Sequence, residues 1–410
     1  MSPTGALTAA LNGKAKRARA VIAFTFVGAL VYFELAGGRS YFDEILCLVS
    51  VLYLIYLALK DVLSRDDTVS ILLLFFLLFI GFASNVFSGI NRSAIAILID
   101  AIAETKVLFI FFAAKYLFRN GTQRVLSDKL IPLAKVFILI AFICGLITQV
   151  VNIGMTESER YGLQGFRFIF PFSFQFLAVM LVLIGALALG TDVKHRFLYY
   201  VLASISLMLA TKSSPLLFGL LFLVLYHFFN HRANINLFFA VFVCAGIFLV
   251  GTYQIETYLL NDTAPRYLFF YHGAEIANAY FPLGSGFATF GSDQAARDYS
   301  PLYYQFGFSH FFGMNPEDGS FLSDTFWPMA IGQFGWFGFF ILLVIYLRIF
   351  LSFRHVPSGK NGSKAFLYAA FVSYMIHAVG SAILSSSSGV IGFIALAMVA
   401  SSCEEHNHRL

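Results

Sequence analysis

The sequence predicts an all-α, polytopic integral membrane protein of about 12 transmembrane helices with a large external loop subdomain. Composition is the first reason. Of 410 residues, 59% are hydrophobic and 12% charged, with a mean hydropathy of +0.79. Soluble domains carry about 25% charged residues, and no soluble packing hides this much apolar surface. Recurrence is the second reason, because apolar runs of about 20 residues follow one another along most of the chain. The third is one connection of about 70 residues, 256–325, far longer than ordinary interhelical links.

The first expected span, 20–36, follows the basic stretch Lys14–Arg19 and reads as an uncleaved helix rather than a signal peptide. Spans 42–60 and 69–88 follow. Span 94–118 is apolar but contains Asp100, Glu104 and Lys106. Then come 131–151 and 167–190, separated by the short polar loop Asn152–Gln164. Spans 197–211 and 213–230 are short and share a tight turn at Thr211–Pro215. Span 236–255 leads into the long loop. Spans 326–351, 365–384 and 387–403 complete the set. The expected organisation is a cytoplasmic segment 1–19, helices over 20–255, the external subdomain 256–325, helices over 326–403 and a tail 404–410.

An even number of spans puts both termini on one side, and the basic residues choose it. That side holds 19 of the 27 Lys and Arg, so both termini are expected in the cytoplasm and the long loop outside. The net charge of +5 is thereby explained by topology and anionic lipid, with no nucleic-acid partner. Cys47, Cys144, Cys244 and Cys403 all fall in apolar spans, and no C-x-x-C or His/Cys spacing occurs. Neither a disulfide framework, a metal site nor a cofactor is expected.

Within the long loop, Asp262–Asn278 has helix-compatible spacing, with Pro265 suited to a first turn. Pro282, Gly284 and Gly286 then force irregular backbone. Gln294–Phe312 has no clear period.

The external cations run against the orientation bias, so each needs a reason. They are Arg39, Arg92, Arg160, Arg167, Lys212, Arg266 and Arg297. Arg and Lys suit phosphate, and Arg binds it bidentately. Their bland role is contact with lipid headgroups. Asp324 precedes the span at Phe326 and is a candidate general base through desolvation. Alternatively, it or Ser323 caps that helix. Tyr299, Tyr303, Tyr304, His310 and Trp327 are candidate sugar-stacking or rim residues, against the alternative that they pack the subdomain's own core. Asp100 and Glu104 share a helix face and line a path or pack internally.

Three segments carry a resemblance: FPLGSGFATFG at Phe281–Gly291, AARDYSPLYY at Ala295–Tyr304 and FLSDTFWPMAIGQFGWFG at Phe321–Gly338. With ATKSSPLL around Lys212 and DTAPRYLFF around Arg266, the chain resembles bacterial O-antigen and exopolysaccharide polymerases, which are related to O-antigen ligases. The resemblance covers motifs over roughly 196–345 and the layout of the whole chain. It implies metal-independent glycosyl transfer between undecaprenyl-diphosphate-linked oligosaccharides at the outer face of the bacterial cytoplasmic membrane. A flippase and a chain-length regulator would be pathway partners. By position, Arg266 matches the family's loop arginine, and Lys212 falls near a hairpin arginine. Ligases carry a His-Asn pair where this chain has Ser323-Asp324, and the missing His favours a polymerase.

The expected site is therefore Asp324 and Arg266 for catalysis, with Lys212, Arg297, Arg160 and Arg167 assisting Arg266 at the diphosphate. A ligase acting on a lipid or protein acceptor is the alternative enzyme. A precursor transporter or flippase using Asp100, Glu104 and Lys106 is the rival from another class. Transporters often show paired repeats, which are not evident in this sequence.

Overall fold

A computed structural model describes residues 3–36, 41–231, 264–357 and 359–403. The expected span 236–255, Arg39, the loop start 256–263 and the tail 404–410 lie outside the described residues. The first half comprises α1 (Pro3–Ala36), α2 (Phe42–Leu59), α3 (Arg65–Ser88), α4 (Ala94–Leu117) and α5 (Thr122–Val150). A hairpin of β1 (Thr156–Arg160) and β2 (Leu163–Phe166) leads to α6 (Ser173–Leu189), α7 (Arg196–Met208) and α8 (Ser213–His231). Next come α9 (Pro265–Ala279), α10 (Asp293–Arg297) and α11 (Pro301–Gln305). The chain closes with α12 (Phe326–Ser352), α13 (Asn361–His377) and α14 (Ser387–Ala400).

Every expected span within the described residues overlaps a helix, although 365–384 leaves its helix at His377, and 6 helices among the described residues are long and apolar enough to cross a membrane. These are Gly13–Leu35, Phe42–Leu59, Arg65–Ser88, Thr122–Val150, Ser213–Asn230 and Phe326–His355. The helices α6, α7 and α14 are apolar but shorter. Local signals set several boundaries. Ser64, Ser93 and Ser386 accept from the third following amide at the starts of α3, α4 and α14. Gly89, in the left-handed region at φ 62°, ends α3.

One large apolar core joins the helices, and a smaller one around Phe269, Phe290 and Tyr303 fills the subdomain. Large apolar side chains also face outward, such as Leu72 at 62% and Phe340 at 65% exposure. That is an arrangement suited to lipid rather than water.

Four local features refine these expectations. The short polar loop Asn152–Gln164 carries an antiparallel hairpin whose second strand runs on to Phe166. The helix expected from 167 starts at Ser173, behind Pro171. The unassigned stretch 294–312 contains two short helices and a single 3-10 turn. Finally, α12 is interrupted at Gly335, where φ is 65°.

That break receives the glycine-rich loop. The amides of Ser285 and Gly286 donate to the carbonyls of Gly332 and Gln333, both at 2.9 Å. Opposite them, Asn85 on α3 clamps Phe287 with two bonds of 2.8 Å, one to its carbonyl and one from its amide. Ser88 donates to the Ser285 carbonyl at 2.6 Å. Asp100 on α4 accepts the Ala288 amide at 2.5 Å and the Gln333 side-chain amide at 3.1 Å. The segment Gly284–Gly291 is thus wedged between α3, α4 and α12, and residues 284–292 are buried. Irregular backbone inside an apolar bundle persists only where protein groups satisfy it, and here they do.

Candidate functional site

Arg266 is the second residue of α9, just after Pro265 at the helix start. Asp324 lies two residues before α12 begins. Their side chains meet, with Arg266 Nη2 to Asp324 Oδ2 at 3.2 Å. Neither Ser323 nor Asp324 caps α12; Thr325 occupies the cap position without a side-chain bond. The backbone fixes the approach from a third direction, since the Phe326 amide donates to the Ala378 carbonyl at 3.2 Å. A β-carbon on Gly380 would come 3.0 Å from Arg266 Cζ, so the guanidinium rests against the turn after α13.

Lys212 completes the group. It occupies the tight turn between α7 and α8 and pairs with Glu157 of β1 at 3.1 Å. Its charge also reaches the Asp324 carboxylate. Burial pushes Asp324 above its ordinary range, while Arg266 and Lys212 pull it back, and the balance is upward. The Asp324 side chain remains 40% exposed, so it is open to an arriving molecule. Residues from three segments far apart in sequence, at 212, 266 and 324, therefore share one neighbourhood.

Two residues missed by sequence reasoning belong here. Glu157 holds Lys212 and also accepts the Ser173 amide at 3.3 Å, tying the hairpin to α6. His377 ends α13 within reach of the charges of Arg266 and Lys212. Its ring lies 6.4 Å from Phe174, and its shielded Nδ1 has no hydrogen-bond partner among the described residues.

The other expected cations sit differently. Arg167 donates to the carbonyls of Thr156, Phe170 and Pro171 at 2.7, 2.7 and 3.2 Å, so its guanidinium braces the hairpin. Arg160 lies half-buried on β1. Arg297 pairs with Asp293 at 2.6 Å and lies near Tyr41, a different set of partners from those of Arg266.

The aromatic candidates divide by burial. Tyr303 is fully buried in the subdomain core, its hydroxyl accepting the Gly291 amide at 2.8 Å, so it has no face for a ligand. Tyr299 donates to the Met314 carbonyl at 3.0 Å. Tyr304 is 60% exposed and His310 is exposed. Trp327 is half-buried and donates to the Met375 carbonyl at 3.0 Å. Of the charges on α4, Asp100 holds the wedged loop, and Lys106 pairs with Asp43 at 2.5 Å and Glu44 at 2.8 Å. Glu104 is buried, and its Oε2 has no partner among the described residues.

No family model matches this chain, and no curated protein matches it.

Proposed function

We propose that this chain is an integral-membrane glycosyltransferase that joins oligosaccharide repeat units carried on undecaprenyl diphosphate. In this reading all 12 expected spans cross the cytoplasmic membrane and the site faces outward. The observation supporting it most is the meeting of Arg266 and Asp324 at 3.2 Å, with Lys212 acting on the same carboxylate.

The chemistry needs two things at one place. A base takes the proton from an acceptor-sugar hydroxyl as its oxygen attacks the anomeric carbon. Cations then stabilise the negative charge growing on the departing diphosphate. Asp324 is the base, and desolvation makes it a stronger proton acceptor than an aspartate in water. Arg266 and Lys212 carry the electrostatic part, for which one well-placed donor contributes about 2.7–4 kcal/mol. As Asp324 gains the proton it loses its charge, and its hold on Arg266 weakens while the leaving group gains charge.

The test is to make Arg266→Ala and Asp324→Ala and run the surface glycan on a gel. The expected product is single-repeat glycan in place of long ladders, at normal protein levels. Long glycan stranded on the lipid diphosphate would identify a ligase instead. Normal ladders from both variants would remove these residues from the reaction.

A further inference from the structure

The hairpin of β1 and β2 departs from regular pairing next to Lys212. Thr156 pairs with Phe166 and Glu159 with Gln164, so β1 takes three steps where β2 takes two. One extra residue in one strand is a bulge, and a bulge re-aims a side chain that regular alternation would fix. Alternation alone puts Glu157 and Glu159 on one face. Instead Glu157 is half-buried and Glu159 is exposed. Across the ladder, a β-carbon at Gly165 would stand 2.4 Å from the Ser158 carbonyl oxygen, so the irregular strand lies closer than a side chain there would allow.

The re-aimed carboxylate has two partners. Its Oε1 meets Lys212 Nζ at 3.1 Å, and its Oε2 accepts the Ser173 amide at 3.3 Å. The hairpin beneath it is fixed on two further sides. The Gln149 side chain donates to the Gln164 carbonyl at 2.8 Å and accepts the Gln164 amide at 3.0 Å. The Phe166 amide donates to the carbonyl of Leu209, three residues before Lys212, at 2.9 Å. The hairpin and the turn that carries Lys212 thus form one braced unit.

A lysine gains from such bracing. Its four-carbon stem has many rotamers, and the Lys212 side chain, 33% exposed, is not confined by packing alone. Among the described residues, the charges acting on Asp324 are Arg266 and Lys212, not Glu157. From α13, His377 feels the same two cations. On the hairpin, Arg167 is engaged by three carbonyls, while Glu159 and Arg160 lie beyond the bulge. Glu157 therefore reaches the site by way of Lys212.

We propose that Glu157 is a positioning residue for the glycosyl transfer, aimed by the bulge in β1 so that it holds the Lys212 ammonium beside Asp324, on the reading that Asp324 is the base. The test is the acidic limb of the pH–rate profile, measured with purified full-length protein in detergent and lipid-linked repeat units extracted from the producing cells.

Glu157→Ala releases Lys212 and moves the limb upward by about 0.5 in pH or more, as Lys212→Gln does. In the Lys212→Gln background Glu157→Ala adds nothing, because the two side chains act in series. Glu157→Gln keeps an acceptor for Lys212 and Ser173, and its limb falls between those of the parent and Glu157→Ala. Glu159→Ala, the same loss of charge at the exposed neighbour, leaves the limb in place. Should Glu157→Ala fail to fold, Glu157→Gln with and without Lys212→Gln carries the comparison. A limb that the Glu157 substitutions leave in place, an equal movement in Glu159→Ala, or a full-sized movement that persists in the Lys212→Gln background overturns the proposal and spares the base assignment. Activity retained by Asp324→Asn overturns the base assignment, and the proposal with it.

Discussion

At Asp324 two influences oppose each other, and their balance sets how the site responds to acid. Burial disfavours the charged carboxylate, Arg266 and Lys212 favour it, and the outcome lies above the ordinary 3.8. If Asp324 is the base, the acidic limb of the pH–rate profile falls above that value. Lys212→Gln removes one stabilising charge and moves the limb further upward. A limb at or below 3.8 would take Asp324 out of the role. The same balance governs stability. A raised folded-state value means that Asp324 favours folding below the unfolded value, and that this contribution is lost as pH rises through the folded one. At neutral pH the charge is therefore a burden on the fold, so Asp324→Asn melts no earlier than the parent in detergent while losing activity. A clear drop in its melting temperature would contradict the balance. Arg266, Lys212 and Asp324 stood out in the sequence because a cation on the sparsely basic side, or a carboxylate at a helix rim, is rare in an apolar chain; that their side chains meet came from the structure. Glu157 and His377 were not, since their meaning comes from contacts across folded segments. Tyr303 and Tyr304 show the same limit: adjacent in sequence, one is sealed in the core and the other exposed.

The helices themselves were legible, because runs of apolar residues and Ser or Gly at their ends are local signals. The break in α12 was not. Gly335 sits in an apolar run that reads as unbroken helix, and its interruption depends on the loop that fills it. A β-carbon at Gly335 would stand 2.1 Å from the Leu283 carbonyl oxygen, and one at Gly284 would stand 2.4 Å from that of Gln333. Both partners are backbone, so neither can swing aside. Gly284→Ala, at a position with no positive-φ requirement, isolates this steric effect. It should cost about 1–3 kcal/mol or more through overpacking, read as a lower melting temperature and faster proteolysis in the subdomain. An unchanged melting temperature would show that the loop is not seated against the broken helix.

For the whole molecule, the Arg266 group lies at the start of α12 and Arg354 lies just beyond its end, and the charge partition predicts which end faces the cytoplasm. Tyr304→Cys, at an exposed subdomain position, should react with an impermeant thiol reagent added to intact cells. Arg354→Cys should react only after the membrane is opened. The reverse pattern would invert the orientation and place the Arg266 group inside. This orientation rests on the distribution of Lys and Arg, which is fully legible in sequence; the wedging of Gly284–Gly291 is not, because the polar residues that receive it look like isolated intramembrane anomalies. Their separation has a temporal meaning. Asn85 precedes Phe287 by 202 positions, and Asp100 precedes Ala288 by 188. At a ribosomal pace of about 5–20 residues per second, α3 and α4 emerge roughly 10–40 s before the amides that satisfy them exist. During synthesis the nascent protein thus holds the Asn85 amide and the Asp100 carboxylate without their folded-state partners until the last third of the polypeptide arrives.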